Sequence, residues 1–380
     1  MNEQSLFDRY DVSPLLKKIV DGIVMSANTN APFQVHLQNL NGSSPVFVLQ
    51  HIFTHPQTST YNHVIVLNDA EEAAYFYNSI ESITGAMDLF YFPSSFKTSQ
   101  NFNLLNPSHV MLRTEALTKL SMGGNKKIIV TYPEAFFEKV IMPKTLQENI
   151  IQIKTNDTLG LNDLMERLVQ YGFERTDFVY EPGQFALRGG IFDIYSFGNE
   201  KPYRVELFGE EVDSIRLFDP ETQLSERKLL QVNIIPNVTT QFEDTIKIPF
   251  MEFVPERTVV WLKDWSLIQQ RGNDQMEALE AFLLHAPILK ITDDADTHKK
   301  NTDKDDFVAV EKVIEQVFNK PIIEWGFQAN LTKQKLAFST QVQPSFNRQF
   351  QYLIANLQEY EKKGYDLFLF AEQAKQLERL

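Results

Sequence analysis

"FALRGGIFDIYSFGNEKPYRVELFGEEVDSIRLF", Phe185–Phe218, decides the fold, because it reads as strand after strand. "FALRGGIFDIY", "YRVELF" and "VDSIRLF" are separated by "SFGNEKP" and "GEE", short polar connections suited to antiparallel hairpins. Gly189 and Gly190 inside the first run predict a bulge or a close backbone approach, either of which would turn Arg188 differently from a regular pleat. In "YRVELF", period-two alternation puts Tyr203, Val205 and Leu207 on a core face and Arg204, Glu206 and Phe208 on a solvent face. Two readings of the second set stand side by side. One is a cross-strand surface ion pair, with Phe208 covering a gap. The other is a protein interface, where arginine and exposed aromatic residues are enriched.

Working outward, Leu161, Leu164, Leu168 and Tyr171 form a helical stripe ahead of these strands, so residues 147–236 are expected to make a small α+β domain. Residues 1–146 read as α/β. "HVIVLNDAEEAAYFYNSIESI" is a β-branched strand followed by Asp69 and Glu72, a capping-box spacing, with Ala73, Phe76, Ile80 and Ile83 on one helical face. "KKIIVTYPEAFFEKVI" repeats the design, and two strand-to-helix units predict a parallel sheet with helices on its faces. Strand and helix alternate again over 237–335, as in "RTVVWLK" and "DQMEALEAFLLH". Thr292–Asp306, with six Asp and three Lys, is expected to be a solvated loop. Residues 336–380 carry Phe346, Phe350, Leu353 and Leu357 at helical spacing, then a strand running into a helix at "YDLFLFAEQAKQLERL", which reads as the start of a further domain.

Bulk properties exclude several functions. The 380 residues carry 50 Asp and Glu against 36 Lys and Arg, and a net charge of −14 opposes broad adhesion to nucleic acid or anionic membrane. Without cysteine there are no disulfides, thiol nucleophiles or thiolate metal sites, which fits a reducing cytoplasm. The first twenty residues lack a signal-peptide core, and no apolar run approaches the roughly 20 residues needed to span a bilayer. A cytoplasmic protein without a membrane partner is expected.

Catalytic signatures are missing. Gly-x-Gly-x-x-Gly, His-Glu-x-x-His and Gly-x-Ser-x-Gly do not occur, and no catalytic residue is assigned. Of seven scattered histidines, His51 and His55 share a four-residue spacing, but two ligands make an incomplete metal site, so no metal is expected. "NGSSPVF", Asn41–Phe47, sits where a phosphate loop would. It has one glycine and no lysine after it, and Pro45 removes a backbone donor.

Tyr180–Ser225 closely resembles the segment shared by the bacterial transcription-repair coupling factors and the excision-repair protein UvrB. Pro-Gly-x-Phe-x-x-Arg-Gly-Gly-x-x-Asp, Arg-x-Glu-x-Phe and Ile-Arg-x-Phe-Asp-x-x-Thr-Gln occur in order, and a weaker likeness runs from Pro32 through the later part of the chain. The resemblance implies a degenerate RecA/helicase-like parallel sheet split into 1–146 and 237–335, with the antiparallel domain 147–236 inserted and 336–380 leading onward. Three departures separate the chain from UvrB itself. Gly42, Ser43, Ser44, Pro45 and Val46 lack the glycine, lysine and threonine of a working nucleotide loop; "DLFYFPSSFKTSQ" replaces a tyrosine-rich DNA-inserting hairpin; and the distal helicase motifs have no counterpart. What remains resembles the N-terminal repair module of the coupling factors. The resemblance then implies a binding module that recruits the damage-recognition ATPase UvrA to stalled RNA polymerase. It has no ATPase activity or cofactor of its own, and polymerase, DNA and ATP are handled by domains outside this chain. It further implies that Arg188, Arg204, Glu206 and Phe208 contact UvrA, the two arginines through its carboxylates. A nucleotide-dependent, UvrB-type damage-binding protein is the alternative.

Overall fold

The computed structural model describes residues 4–29, 31–85, 88–124, 126–238, 246–285, 300–347 and 349–369. Seven strands form one all-parallel sheet in the order Gln334–Ala337, Gln34–Gln38, Ile322–Trp325, Thr258–Lys263, Asn62–Val66, Ile128–Thr131 and Leu89–Phe92. Its central strands are buried along nearly their whole length, which is why "NHVIV", "IIVT" and "TVVWLK" read as continuous β-branched runs instead of alternating ones. The Ala70–Thr84 helix starts as its sequence predicts, with Asp69 Oδ1 accepting from the Glu72 amide at 2.8 Å. The Glu72 carboxylate reaches one residue further back, to the Asn68 amide. Ala73 and Ile80 are buried, and Phe76 packs against Trp325.

The small unit hangs from this sheet by one two-stranded ladder. Ile151–Lys154 pairs antiparallel with Gln231–Ile234, so the chain leaves and returns side by side. Beyond the ladder, six strands run in the order Ser225–Leu229, Glu211–Phe218, Tyr203–Phe208, Ile191–Ile194, Gln184–Arg188 and Glu174–Arg175. All neighbours are antiparallel except the last pair. One face closes over the Leu161–Gln170 helix in a core of Ile153, Leu168, Phe185, Phe192, Ile194 and Val205. This α/β fold with an inserted antiparallel unit is the architecture the sequence implied.

Local expectations are met in part. "FALRGGIFDIY" is two strands joined by a tight hairpin, with Arg188 paired directly to Ile191 across Gly189 and Gly190; no bulge forms there, but the close backbone approach does, at Gly190 against the Leu207 carbonyl. Only part of the acidic 292–306 segment lies within the described residues; there Asp303, Lys304 and Asp305 are exposed as expected, while Lys300, Thr302 and Asp306 are buried. Asp306 accepts from Lys247 at 2.5 Å and from Lys300 at 3.0 Å, a charge-compensated cluster that lets three ionised groups leave water together. In the 88–105 region Phe96 and Phe102 are buried in a satellite core, Phe96 stacking on Phe307 and Phe102 meeting it edge-on. Finally, Phe350–Lys362 is a helix without a buried residue, Phe346 lies before it, and Tyr365–Leu369 is not a strand; residues 370–380 lie outside the described set.

One buried histidine makes stability depend on pH. His63 has no solvent access, accepts from Trp261 Nε1 at 2.9 Å, and burial lowers its pKa to about 3. Below about pH 6.5 the unfolded chain takes up a proton that the folded chain refuses, so stability falls toward pH 3 by about 1.4 kcal/mol per pH unit. His63→Gln keeps an acceptor for Trp261 and removes the titration. Urea melts should therefore show the gap between variant and wild type closing by about 1–2 kcal/mol from pH 6.5 to pH 5; parallel pH curves would refute the assignment.

Candidate functional site

The solvent-side face of the six-stranded sheet gathers charge around one carboxylate. Asp193, in the middle of the apolar run "GIFDIY", has no solvent access. Strand register sets Arg204 directly opposite it and Ala186 on its other side, which leaves the hairpin residue Arg188 one step along. Arg204 donates from Nε to Asp193 Oδ1 at 2.8 Å and from Nη2 to Oδ2 at 2.9 Å, a two-pronged pair, and its Nη1 donates to the Gln223 carbonyl at 3.0 Å. Arg188 Nη2 reaches Oδ2 at 2.5 Å. These hydrogen bonds raise the pKa of Arg204.

Each guanidinium also lies over a ring. Arg188 sits 4.3 Å from the centroid of Phe178 and Arg204 4.4 Å from that of Phe218, where the ring quadrupole favours the cation. The hairpin glycines permit this geometry. Gly189 has φ +59°, and a Cβ on Gly190 would stand 2.9 Å from the Leu207 carbonyl oxygen, so the turn needs glycine at both positions.

Glu206 and Phe208 extend the same strand away from this cluster. Glu206 accepts from Ser214 Oγ at 2.6 Å and pairs with Arg216 at 3.2 Å. Phe208, at the end of the next hairpin, is 85% exposed and has no core role. The structure thus brings Arg188 and Arg204 together and holds Glu206 in a separate pair. Sequence reasoning missed Asp193, Phe178 and Phe218. The available signal was Asp193 itself, a carboxylate in a strand otherwise written for burial, which demands a cation from the neighbouring strand.

At the large sheet, Gly42–Val46 joins the Gln34–Gln38 strand to the Ser44–Thr54 helix, the position at which a helix N-terminus faces an anion in nucleotide-binding folds. Here part of the donor capacity is already spent. Asn41 N–H donates to Thr340 Oγ1, Ser44 N–H to the Asn41 carbonyl, and those of Val46 and Phe47 to the Ser43 carbonyl, while Pro45 has none to give. Ser44, Pro45 and Val46 are buried, and Phe47 stacks on Tyr10 at 5.3 Å. His51 binds Asp11 at 2.7 Å instead of completing a metal set with His55. Among the described residues, no three His, Asp or Glu side chains cluster as a metal site, and no helix is long and apolar enough to cross a membrane.

Comparison with known proteins follows this geometry. Residues 151–239, the span from the connecting ladder through the whole antiparallel sheet, match the family described as the UvrB interaction domain. The transcription-repair-coupling factor of Bacillus subtilis is 28% identical over 262 residues, covering 69% of this chain and 20% of its own length. That of Staphylococcus aureus is 28% identical over 211 residues, 52% of this chain and 18% of its own, and that of Staphylococcus epidermidis 32% over 172 residues, 45% and 14%. The chain spans a fifth or less of the length of these relatives. Residues 151–239 are therefore similar to the UvrB interaction domain family, and they are carried on a parallel α/β body. The chain's relatives bear out the resemblance to the transcription-repair-coupling factors.

The two arginines differ in what their removal should do to the fold. Arg204→Ala strips a buried carboxylate of its two-pronged partner and should cost about 3 kcal/mol, since Arg188 retains one contact. Phe208→Ala, at an exposed position, should stay within about 0.5 kcal/mol of wild type. Equal chemical-denaturation midpoints for the two variants would contradict the brace assigned to Arg204.

Proposed function

We propose that this chain is the UvrA-recruiting part of a transcription-repair-coupling factor, a protein-binding module of the cytoplasm that brings UvrA to RNA polymerase stalled at a lesion. The observation that carries this reading is the coincidence of two spans: residues 151–239, which match the UvrB interaction domain, contain the sheet on which Arg188 and Arg204 meet at Asp193 and on whose Tyr203–Phe208 strand Glu206 and Phe208 lie further along. An arginine with unspent donors and, at the next hairpin, an 85% exposed phenylalanine are the residue types of an interface anchor, in which apolar burial and charge-assisted hydrogen bonds work together. Contacts to polymerase and DNA, and the use of ATP, belong to segments outside this chain.

The body of the module acts as a scaffold without nucleotide. Support comes from the 42–46 loop, where the Ser44 and Val46 amides bond within the chain, Pro45 has none to give, and the helix start is packed under Phe7 and Tyr10. Titration calorimetry with magnesium ATP should give no saturable heat up to millimolar concentrations, and a measurable isotherm would favour the UvrB-type reading. For the interface, Phe208→Ala and Arg188→Ala should each weaken binding to purified UvrA by about tenfold or more, with circular dichroism unchanged for the first. Undiminished binding by both would remove the face from the proposal.

A further inference from the structure

We infer that Asp193 is a positioning residue for UvrA recognition: it uses Arg204 as a fixed brace and holds Arg188 as the guanidinium that meets the partner. The inference rests on the reading above and assigns different tasks to two residues that the sequence treats alike.

Arg204 has every guanidinium nitrogen engaged within the chain, two on Asp193 and one on the Gln223 carbonyl, and its side chain is 13% exposed. It offers little to a partner. Arg188 touches Asp193 through Nη2 alone, and its side chain is 32% exposed over the half-exposed ring of Phe178. Its Nε and Nη1 have no acceptor among the described residues, so the planar group keeps an open edge while one corner is anchored. A free arginine must give up side-chain conformational freedom when it binds; one clamped by a carboxylate and a ring has already given up most of it. With two guanidinium groups around one carboxylate, the cluster carries a net charge of +1 in a chain of net −14. The matching partner group is a carboxylate.

Asp193→Asn tests this, because it keeps the shape and one acceptor oxygen and removes the charge that draws both arginines inward. Binding to purified UvrA is measured for wild type, Asp193→Asn, Arg188→Ala and the double variant. Each single change should cost about tenfold in Kd, and the double about tenfold as well, because both act through the same guanidinium. A purely structural Asp193 would give losses that multiply to about a hundredfold, and that result, or unchanged binding by Asp193→Asn alone, overturns the inference. If Asp193→Asn does not fold, Phe178→Leu removes the ring beneath Arg188 without touching the carboxylate, and the same non-multiplying pattern with Arg188→Ala is expected. Should Arg188→Ala and Phe208→Ala both leave binding intact, the interface reading fails and the positioning role fails with it; a loss in both, with multiplying effects at Asp193, overturns the positioning role alone.

Discussion

Thr258–Lys263 lies in the middle of the seven-stranded sheet, hydrogen-bonded to Asn62–Val66 on one side and to Ile322–Trp325 on the other. It reaches that position only after the chain has built the antiparallel unit. The large core cannot be completed by residues ahead of the insertion, since both a central strand and its neighbour come from beyond it. A parallel sheet must be covered on both faces and cannot leave its middle open to water, so the two ends of the insertion have to lie close together. The ladder between Ile151–Lys154 and Gln231–Ile234 meets that demand. The small sheet consequently projects from a fixed base with its own core behind it, leaving its other face available.

On that face, electrostatics follows from the same rule of burial. An ionised carboxylate without solvent access is stable only if cations and hydrogen-bond donors replace its water. Asp193 finds both in Arg204, a direct cross-strand neighbour, and in Arg188, brought to it by a two-residue turn that needs Gly189 and Gly190. The order of cause runs from the glycines to the turn, from the turn to the position of Arg188, and from the carboxylate to its orientation. Phe208 is outside this chain of causes. It stands at the next hairpin without packing duties, so its exposure is not imposed by the fold.

Much of this was legible in the sequence, and the failures share a cause. Period-two alternation placed Tyr203 and Val205 inside and Phe208 outside, and continuous β-branched runs marked the parallel strands, because both signals are local. The split between Arg188 and Arg204 was not legible. Both are arginines next to strands, and which one is consumed depends on cross-strand register and on Gln223, 19 residues away along the chain. The acidic segment ending at Asp306 shows the same limit at one residue. Asp303 to Asp305 are exposed, as its composition describes, but Asp306 is buried because Lys247 arrives from nearly 60 residues earlier to pair with it. Charge in a sequence has a sign but no partner, and the partner decides whether it is surface or core.

The strand-to-helix turn at residues 42–46 and the arginine cluster use their donors in opposite ways. At the turn the Ser44 and Val46 amides bond to Asn41 and Ser43, Pro45 has none, and the helix start is part of the core. A lysine in place of Pro45 would put an ammonium group at a buried position, which would disturb the packing of the N-terminal helices. At the antiparallel sheet, Arg188 keeps donors unspent over the half-exposed ring of Phe178. A helix start packed into the core of one unit and an arginine with open donors on the other are the structural grounds for the proposed division of labour, the large sheet as support and the small sheet as recognition surface.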